Sequence, residues 1–467
     1  NPRRIIILDG RIEVRQYTSV NKYDPANVGM NVSNSEYRVR RNRVISSMES
    51  NSLAILPAAP SQLRNRDTEY PFRQNSDFFY LTGLEEPEAI LVLISNRSGG
   101  EAILFLKDRD PNQELWTGES LGIENATTTI GIEEVYPIDA LHSTLPELLT
   151  GVDRIYVTLG EYSDFDQQFL SMINDIRLIE SGGASAPETL VSFKKILHEQ
   201  RLYKSNSEID LMQRAVDITT KAHLRALERC QPGISETQLE AELIYEFMRH
   251  DARFAAYPSI VGSGKNACVM HYVRNDSILV DGELVLIDAG CEFHNYASDI
   301  TRTIPINGRY SPEQKAIYEI VLDAQNRAID SAMVGSNFNT PHEIATEVLA
   351  QGLLDLGLLQ GSLDEVLEEE SFKRFTLHRT SHWLGLDVHD VGDYRIRGDW
   401  RPLEENMILT VEPGIYIPNT ENYADIEERW RGIGIRIEDD VLIEKQGNRI
   451  LSATLPKELE AIEALMN

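Results

Sequence analysis

The chain has 467 residues, 42% of them hydrophobic, which is ample for two globular domains with cores of their own. Its formal charge of −29 repels nucleic acid and anionic membrane surfaces, so neither is expected as a partner. No apolar run approaches the ~20 residues of a membrane span, and Ile5-Ile6-Ile7-Leu8 is too short for a signal-peptide core. Cys230, Cys268 and Cys291 show no paired metal-ligand spacing and read as reduced thiols of a cytoplasmic protein.

Residues 1–30 read as an extension of unknown role. From about Ser33 to Glu180, short apolar stretches such as 89–94 and 102–106 alternate with amphipathic helical stretches, the pattern of an α/β domain. The chain divides at about Leu190, giving an N-terminal domain over 31–190 and a second domain over 191–467. Residues 194–230 predict long helices with a break at 203–206 and Ser207 as N-cap. Helices around 208–230 and 236–250 precede a hairpin carrying Asp288 and Asp299. Helices around 312–332 and 341–356 precede the strands that end at Glu412 and Glu438. The fold class is α/β (α+β), with two helix-then-strand halves in the second domain.

Asp288 ends the apolar run 284–287, and Asp299 follows eleven residues later in Ser298-Asp299-Ile300-Thr301-Arg302-Thr303. Glu412 closes 407–411, and Glu438 closes 434–437. A carboxylate buried at a strand end costs roughly several kcal/mol unless it is paired or bound to a cation. Any one of these acids alone reads as a turn or helix cap. Together with His382 in Ser381-His382-Trp383-Leu384-Gly385 they supply more oxygens than one hard cation needs. The set suits two cations about 3.5 Å apart with bridging carboxylates. Oxygen-rich ligation with one nitrogen favours manganese, with cobalt or zinc as substitutes.

Other chemistries lack their motifs. Gly262-Ser263-Gly264-Lys265-Asn266 departs from a phosphate loop at Ser259 and at Asn266. His198-Glu199 and His342-Glu343 have no second histidine of a zincin, and no Gly-x-Ser-x-Gly elbow occurs. His271 by itself reads as a packed core histidine. His378, four residues before His382, has a spacing that on a helix would suit zinc.

The segments 286–292, 296–303, 382–392, 411–414 and 434–440, with 70–83 in the N-terminal half, resemble the aminopeptidase P family of pita-bread metallopeptidases. The resemblance runs in order from about Asn34 to the C-terminus, and Met30 would be a natural start for the family. It implies a pita-bread catalytic domain whose metal ligands are Asp288, Asp299, His382, Glu412 and Glu438. It further implies that His271 contacts the scissile amide, that His389 binds the substrate carbonyl oxygen, and that His378 borders the proline pocket. Tyr257, Tyr416 and Arg436 match positions lining the family's site; Arg436, two residues before Glu438 on an expected strand, would share its face. The family's bacterial pattern has small or apolar residues where this chain has Arg379-Thr380, an expected change at the pocket rim.

The function so implied is removal of the N-terminal residue from peptides with proline second, by attack of a hydroxide between two metals, with Glu412 as the proton carrier. Trp116 alone reads as a domain-core tryptophan; the resemblance implies instead a homo-oligomer, tetramer or dimer, in which it reaches a neighbour's site. Two alternatives stay open at this point: a prolidase cutting only Xaa-Pro dipeptides, and a pita-bread binding protein without catalysis.

Overall fold

The computed structural model describes residues 32–95, 101–132, 134–179 and 185–466, and the backbone of two strands, Arg3–Leu8 and Arg11–Gln16. Those strands belong to a unit of their own, residues 1–31, in which they pair antiparallel with Ile5 opposite Val14. The rest of the expected extension lies outside the described residues. The second unit begins at Val32.

Its N-terminal part is built on a six-stranded mixed sheet in the order Thr189–Val191, Arg154–Val157, Ser52–Pro57, Ile90–Ile94, Glu101–Leu106 and Glu134–Pro137. Ser52–Pro57 and Ile90–Ile94 are buried along their whole length, which explains their unbroken apolar sequences: both faces are covered. Leu53, Ile55, Val92 and Phe105 pack with Leu145 and Leu149 of the helix Leu141–Leu149, and with Phe169 and Ile173 of the helix Ser163–Leu178.

Two helices, Lys194–Leu202 and Asn206–Arg229, lead out of this part. The N-cap of the second is Ser205, not the expected Ser207. Only Ser205 has a glutamate three residues on. Its hydroxyl accepts from the Glu208 amide while the Glu208 carboxylate accepts from the Ser205 amide, closing a capping box.

The C-terminal part repeats one order twice. Asn206–Arg229 and Glu236–Arg249 precede the antiparallel strands Ile260–Ser263, Leu284–Ala289 and Ile300–Pro305. Pro312–Ser331 and Thr340–Asp355 precede two further pairs, Ile408–Val411 with Asp439–Ile443 and Gly414–Ile417 with Ile433–Arg436. Asp288 lies opposite Thr301, as a hairpin requires. Its connection is not a plain turn, however. It holds a second hairpin, Cys291–Phe293 with Tyr296–Ala297, which pairs onward with Phe254–Ala255. Gly290 permits this, since a Cβ there would lie 1.7 Å from the Ser298 carbonyl oxygen. The two halves join through Arg302, which donates to the Glu438 carbonyl at 2.7 Å and to Asp439 Oδ1 at 2.7 Å. This is the pita-bread arrangement. No helix among the described residues is long and apolar enough to cross a membrane.

A buried charge cluster ties the N-terminal part to the loop that follows His382. Arg201 donates to Asp77 at 2.8 Å, to Asp387 at 2.8 Å and to Asp390 at 2.5 Å, and Lys204 lies 3.0 Å from Asp390. Arg201, Lys204 and Asp390 are almost wholly buried. Burial alone would raise the Asp390 pKa, but Lys204 and Arg201 hold it below the ordinary carboxylate range. Asp390→Ala would leave two buried cations short of a partner and is expected to cost about 3–5 kcal/mol. Urea unfolding checks this: the midpoint should fall, and an unchanged midpoint contradicts the assignment.

Candidate metal centre

The four acids sit at strand ends, as their sequence context implies. Asp288 is the penultimate residue of Leu284–Ala289, and Asp299 immediately precedes Ile300–Pro305. Glu412 immediately follows Ile408–Val411, and Glu438 lies between Ile433–Arg436 and Asp439–Ile443. His382 is laid beside Ile408–Val411 by a reciprocal pair: the Thr410 amide donates to the His382 carbonyl, and the His382 amide donates to Thr410 Oγ1 at 3.2 Å. All five side chains line a single cavity of about 410 Å3, together with Tyr257, His271, His378, His389 and Arg436. Tyr416 reaches its wall, since its hydroxyl accepts from Arg436 at 2.9 Å and lies 2.7 Å from His378 Nε2. The expected strand through Arg436 and Glu438 stops at Arg436, yet both side chains reach the cavity. His378 is not on a helix, so the helical zinc spacing with His382 does not arise. Trp116 lies outside this cavity and is 89% exposed, on a helix, Pro111–Thr117, with no buried side chain; it is not a core residue.

Asp299, His382 and Glu438 each present one ligand atom, all within 4.8 Å of one another. His382 Nε2 is 3.3 Å from Asp299 and 3.6 Å from Glu412. Its Nδ1 faces the Trp383 carbonyl oxygen at 2.9 Å, a contact that places the proton on Nδ1 and leaves Nε2 as a ligand atom. Arg436 donates to Asp288 Oδ2 at 2.6 Å, and the Tyr257 hydroxyl lies 2.5 Å from both Asp288 Oδ1 and Asp299 Oδ1. Thr301 donates to Glu438 Oε2 at 2.6 Å.

The electrostatics of the protein alone are unfavourable. Burial first, and then repulsion from Asp299 and Asp288 against the pull of His382 and Arg436, pushes Glu412 up to about 7. Burial and the other three acids drive Glu438 well above the ordinary range, and burial and Asp288 raise Asp299. Burial opposes a charge on His382, but the hydrogen bond its protonated ring donates to Asp299 and the field of Glu412 raise it to about 9. Four acids thus crowd one pocket with Arg436 as the buried guanidinium touching one of them. Hard oxygen donors under mutual repulsion fit divalent cations, which would relieve it.

Several residues that support this set carry little signal of it in the sequence. Asp440 is fully buried and accepts from the Asp299 amide at 3.1 Å. Thr301 and Thr303 alternate with Ile300, Arg302 and Ile304 on a wholly buried strand; such alternate polar positions behind Asp299 signal a second polar face. Asp439 pairs with Arg302 and with Lys457 at 3.0 Å, away from the cavity. Its place next to Glu438 in the acidic run gives no local signal that separates the two.

Residues 210–445 match the model of metallopeptidase family M24, and residues 37–156 match that of the aminopeptidase P N-terminal domain. The chain is 43% identical over 436 residues to the Xaa-Pro aminopeptidase of Escherichia coli K12, covering 93% of this chain and 98% of that protein. The structure of aminopeptidase PepP from Pseudomonas aeruginosa superposes with a TM-score of 0.91 at 49% identity, covering 94% of this chain and 98% of the other. A zinc-substituted E. coli aminopeptidase P in complex with product superposes with a TM-score of 0.90 at 43% identity, covering 93% and 98%. Domain order, strand-end acids and these similarities coincide, and the chain belongs to metallopeptidase family M24, with an N-terminal domain of the aminopeptidase P type.

Proposed function

We propose that the chain releases the N-terminal residue from peptides whose second residue is proline, using two divalent cations held by Asp288, Asp299, His382, Glu412 and Glu438. The observation that carries this is the convergence of these five side chains on one cavity beside three further histidines. Its relatives named for Xaa-Pro cleavage and the matched N-terminal domain support an aminopeptidase over a prolidase. Domain limits of 31–190 and 191–467, manganese as the working metal, and a cytoplasmic site of action belong to the same reading.

When bound, the cations would polarise the scissile carbonyl and lower the pKa of the attacking water. Glu412, poised near neutrality by burial, takes the water proton and delivers it to the prolyl nitrogen, which must be protonated to leave. Burial and the nearby His382 and His271 hold His389 below its ordinary value, so it is a neutral donor to the developing oxyanion, with His271 as the second. Tyr416 links Arg436 to His378, and this chain of contacts fixes the wall that receives proline. The substrate amine binds next to Asp288, which limits cleavage to the chain end.

Chelation should abolish peptidase activity, and manganese should restore it better than calcium, because the site mixes carboxylates with an imidazole. Full activity in a chelated sample contradicts the reading. His271→Ala and His389→Ala should keep their metal yet lose about 10²-fold in kcat, as for an oxyanion donor. Metal analysis with steady-state kinetics checks this, and loss of metal at unchanged kcat per bound metal refutes the donor role.

The exposed Trp116 fits a contact made in a tetramer with a neighbouring subunit's site. Xaa-Pro-Yaa should then be cut with higher kcat/KM than Xaa-Pro, and Trp116→Ala should lower tripeptide kcat/KM without changing metal content. A monomer by light scattering that cuts only dipeptides would be a prolidase.

A further inference from the structure

Arg379 lies one residue after His378 and three before His382, and it lines the 410 Å3 cavity. Its guanidinium is held in place on two sides. It donates to Asn339 Oδ1 and sits 4.8 Å from the centroid of the Trp400 ring. Arg395 packs on the same ring at 3.8 Å. Among the described residues neither Arg379 nor Arg395 has a carboxylate within ion-pair distance. Glu343 reaches Arg379 only through Asn339, whose amide donates to Glu343 Oε1 at 2.6 Å. A guanidinium with no carboxylate partner lining this cavity stands out in a chain of net charge −29.

A guanidinium offers five donors in a planar fork that matches a carboxylate in two parallel hydrogen bonds. Asn339 takes one donor of Arg379 and the stack on Trp400 fixes the plane, so little freedom is lost when the remaining donors find an acceptor. We propose that Arg379 is a specificity-determining residue that binds a carboxylate on the residue following proline in the substrate. The inference rests on the proposed Xaa-Pro cleavage, with His378 on the proline side of the cavity. The carboxylate has two possible sources, the free C-terminus of a tripeptide or an acidic side chain in a longer peptide.

The test compares kcat/KM of the manganese-loaded enzyme for matched peptides: Ala-Pro-Ala as free acid and as amide, and Ala-Pro-Glu-amide against Ala-Pro-Gln-amide. At least one pair should favour the carboxylate by about tenfold, as for a charge-assisted hydrogen bond, chiefly through KM. The first pair reports the chain end and the second the side chain. Arg379→Gln should bring that ratio close to one, and Arg379→Lys, which keeps the charge but not the fork, should hold an intermediate value. A wild-type enzyme that cuts the amides with a ratio of one, or a ratio unchanged in Arg379→Gln, overturns the assignment and leaves Xaa-Pro cleavage standing. A wild-type enzyme that cuts none of the four peptides overturns both.

Discussion

Mutual repulsion among Asp288, Asp299, Glu412 and Glu438 is the constraint around which the C-terminal part is organised. Carboxylates this deeply buried tend to neutralise by binding protons, and the raised values of Asp299, Glu412 and Glu438 record that tendency. The fold nevertheless holds them together from separate strands of two repeated halves. Arg436 steadies Asp288, Thr301 steadies Glu438, and the Asp440 carboxylate receives the Asp299 amide. Such support costs stability in the protein alone and becomes favourable once divalent cations supply the missing positive charge. A separate ion cluster, Arg302 with Asp439 and Lys457, takes the neighbouring acid out of the site and joins the halves.

The same constraint shapes the reaction we propose. A glutamate poised near neutrality can both accept and release a proton, and burial beside like charges puts Glu412 there in the protein alone. The histidines divide by environment. His382 is oriented by its Nδ1 contact with the Trp383 carbonyl, while burial and Arg436 push His378 down to about 4 and keep it neutral against Tyr416. His389 stacks edge-on with His382 at 4.3 Å between ring centroids, and the loop it shares with Asp387 and Asp390 is fastened to Arg201. The N-terminal part thus takes part in positioning the loop that carries His389.

Much of this was legible in the sequence because burying a charge at the end of an apolar run is improbable without a cause. The run 284–287 ending in Asp288 and the run 407–411 ending in Glu412 carried that signal, and both acids lie where it placed them. What escaped, the cap at Ser205 apart, was set by contacts distant in sequence. The cap at Ser205 follows a local rule, a glutamate three residues on, that Ser207 with Asp210 does not meet. The second hairpin inside the Asp288 connection depended on Gly290 admitting the Ser298 carbonyl, and the Arg201 cluster joins residues up to 189 positions apart, which no local pattern announces. Trp116, whose type suggests a core, is exposed on a helix with no buried face.

The central claim is that the crowded acids exist to hold two cations, with Asp299 and Glu438 between them. Anomalous diffraction from crystals of the manganese-loaded protein tests it most directly. The account predicts two peaks about 3.5–4 Å apart, both contacted by the Asp299 and Glu438 carboxylates. A single peak, or two peaks without a shared carboxylate, would contradict it.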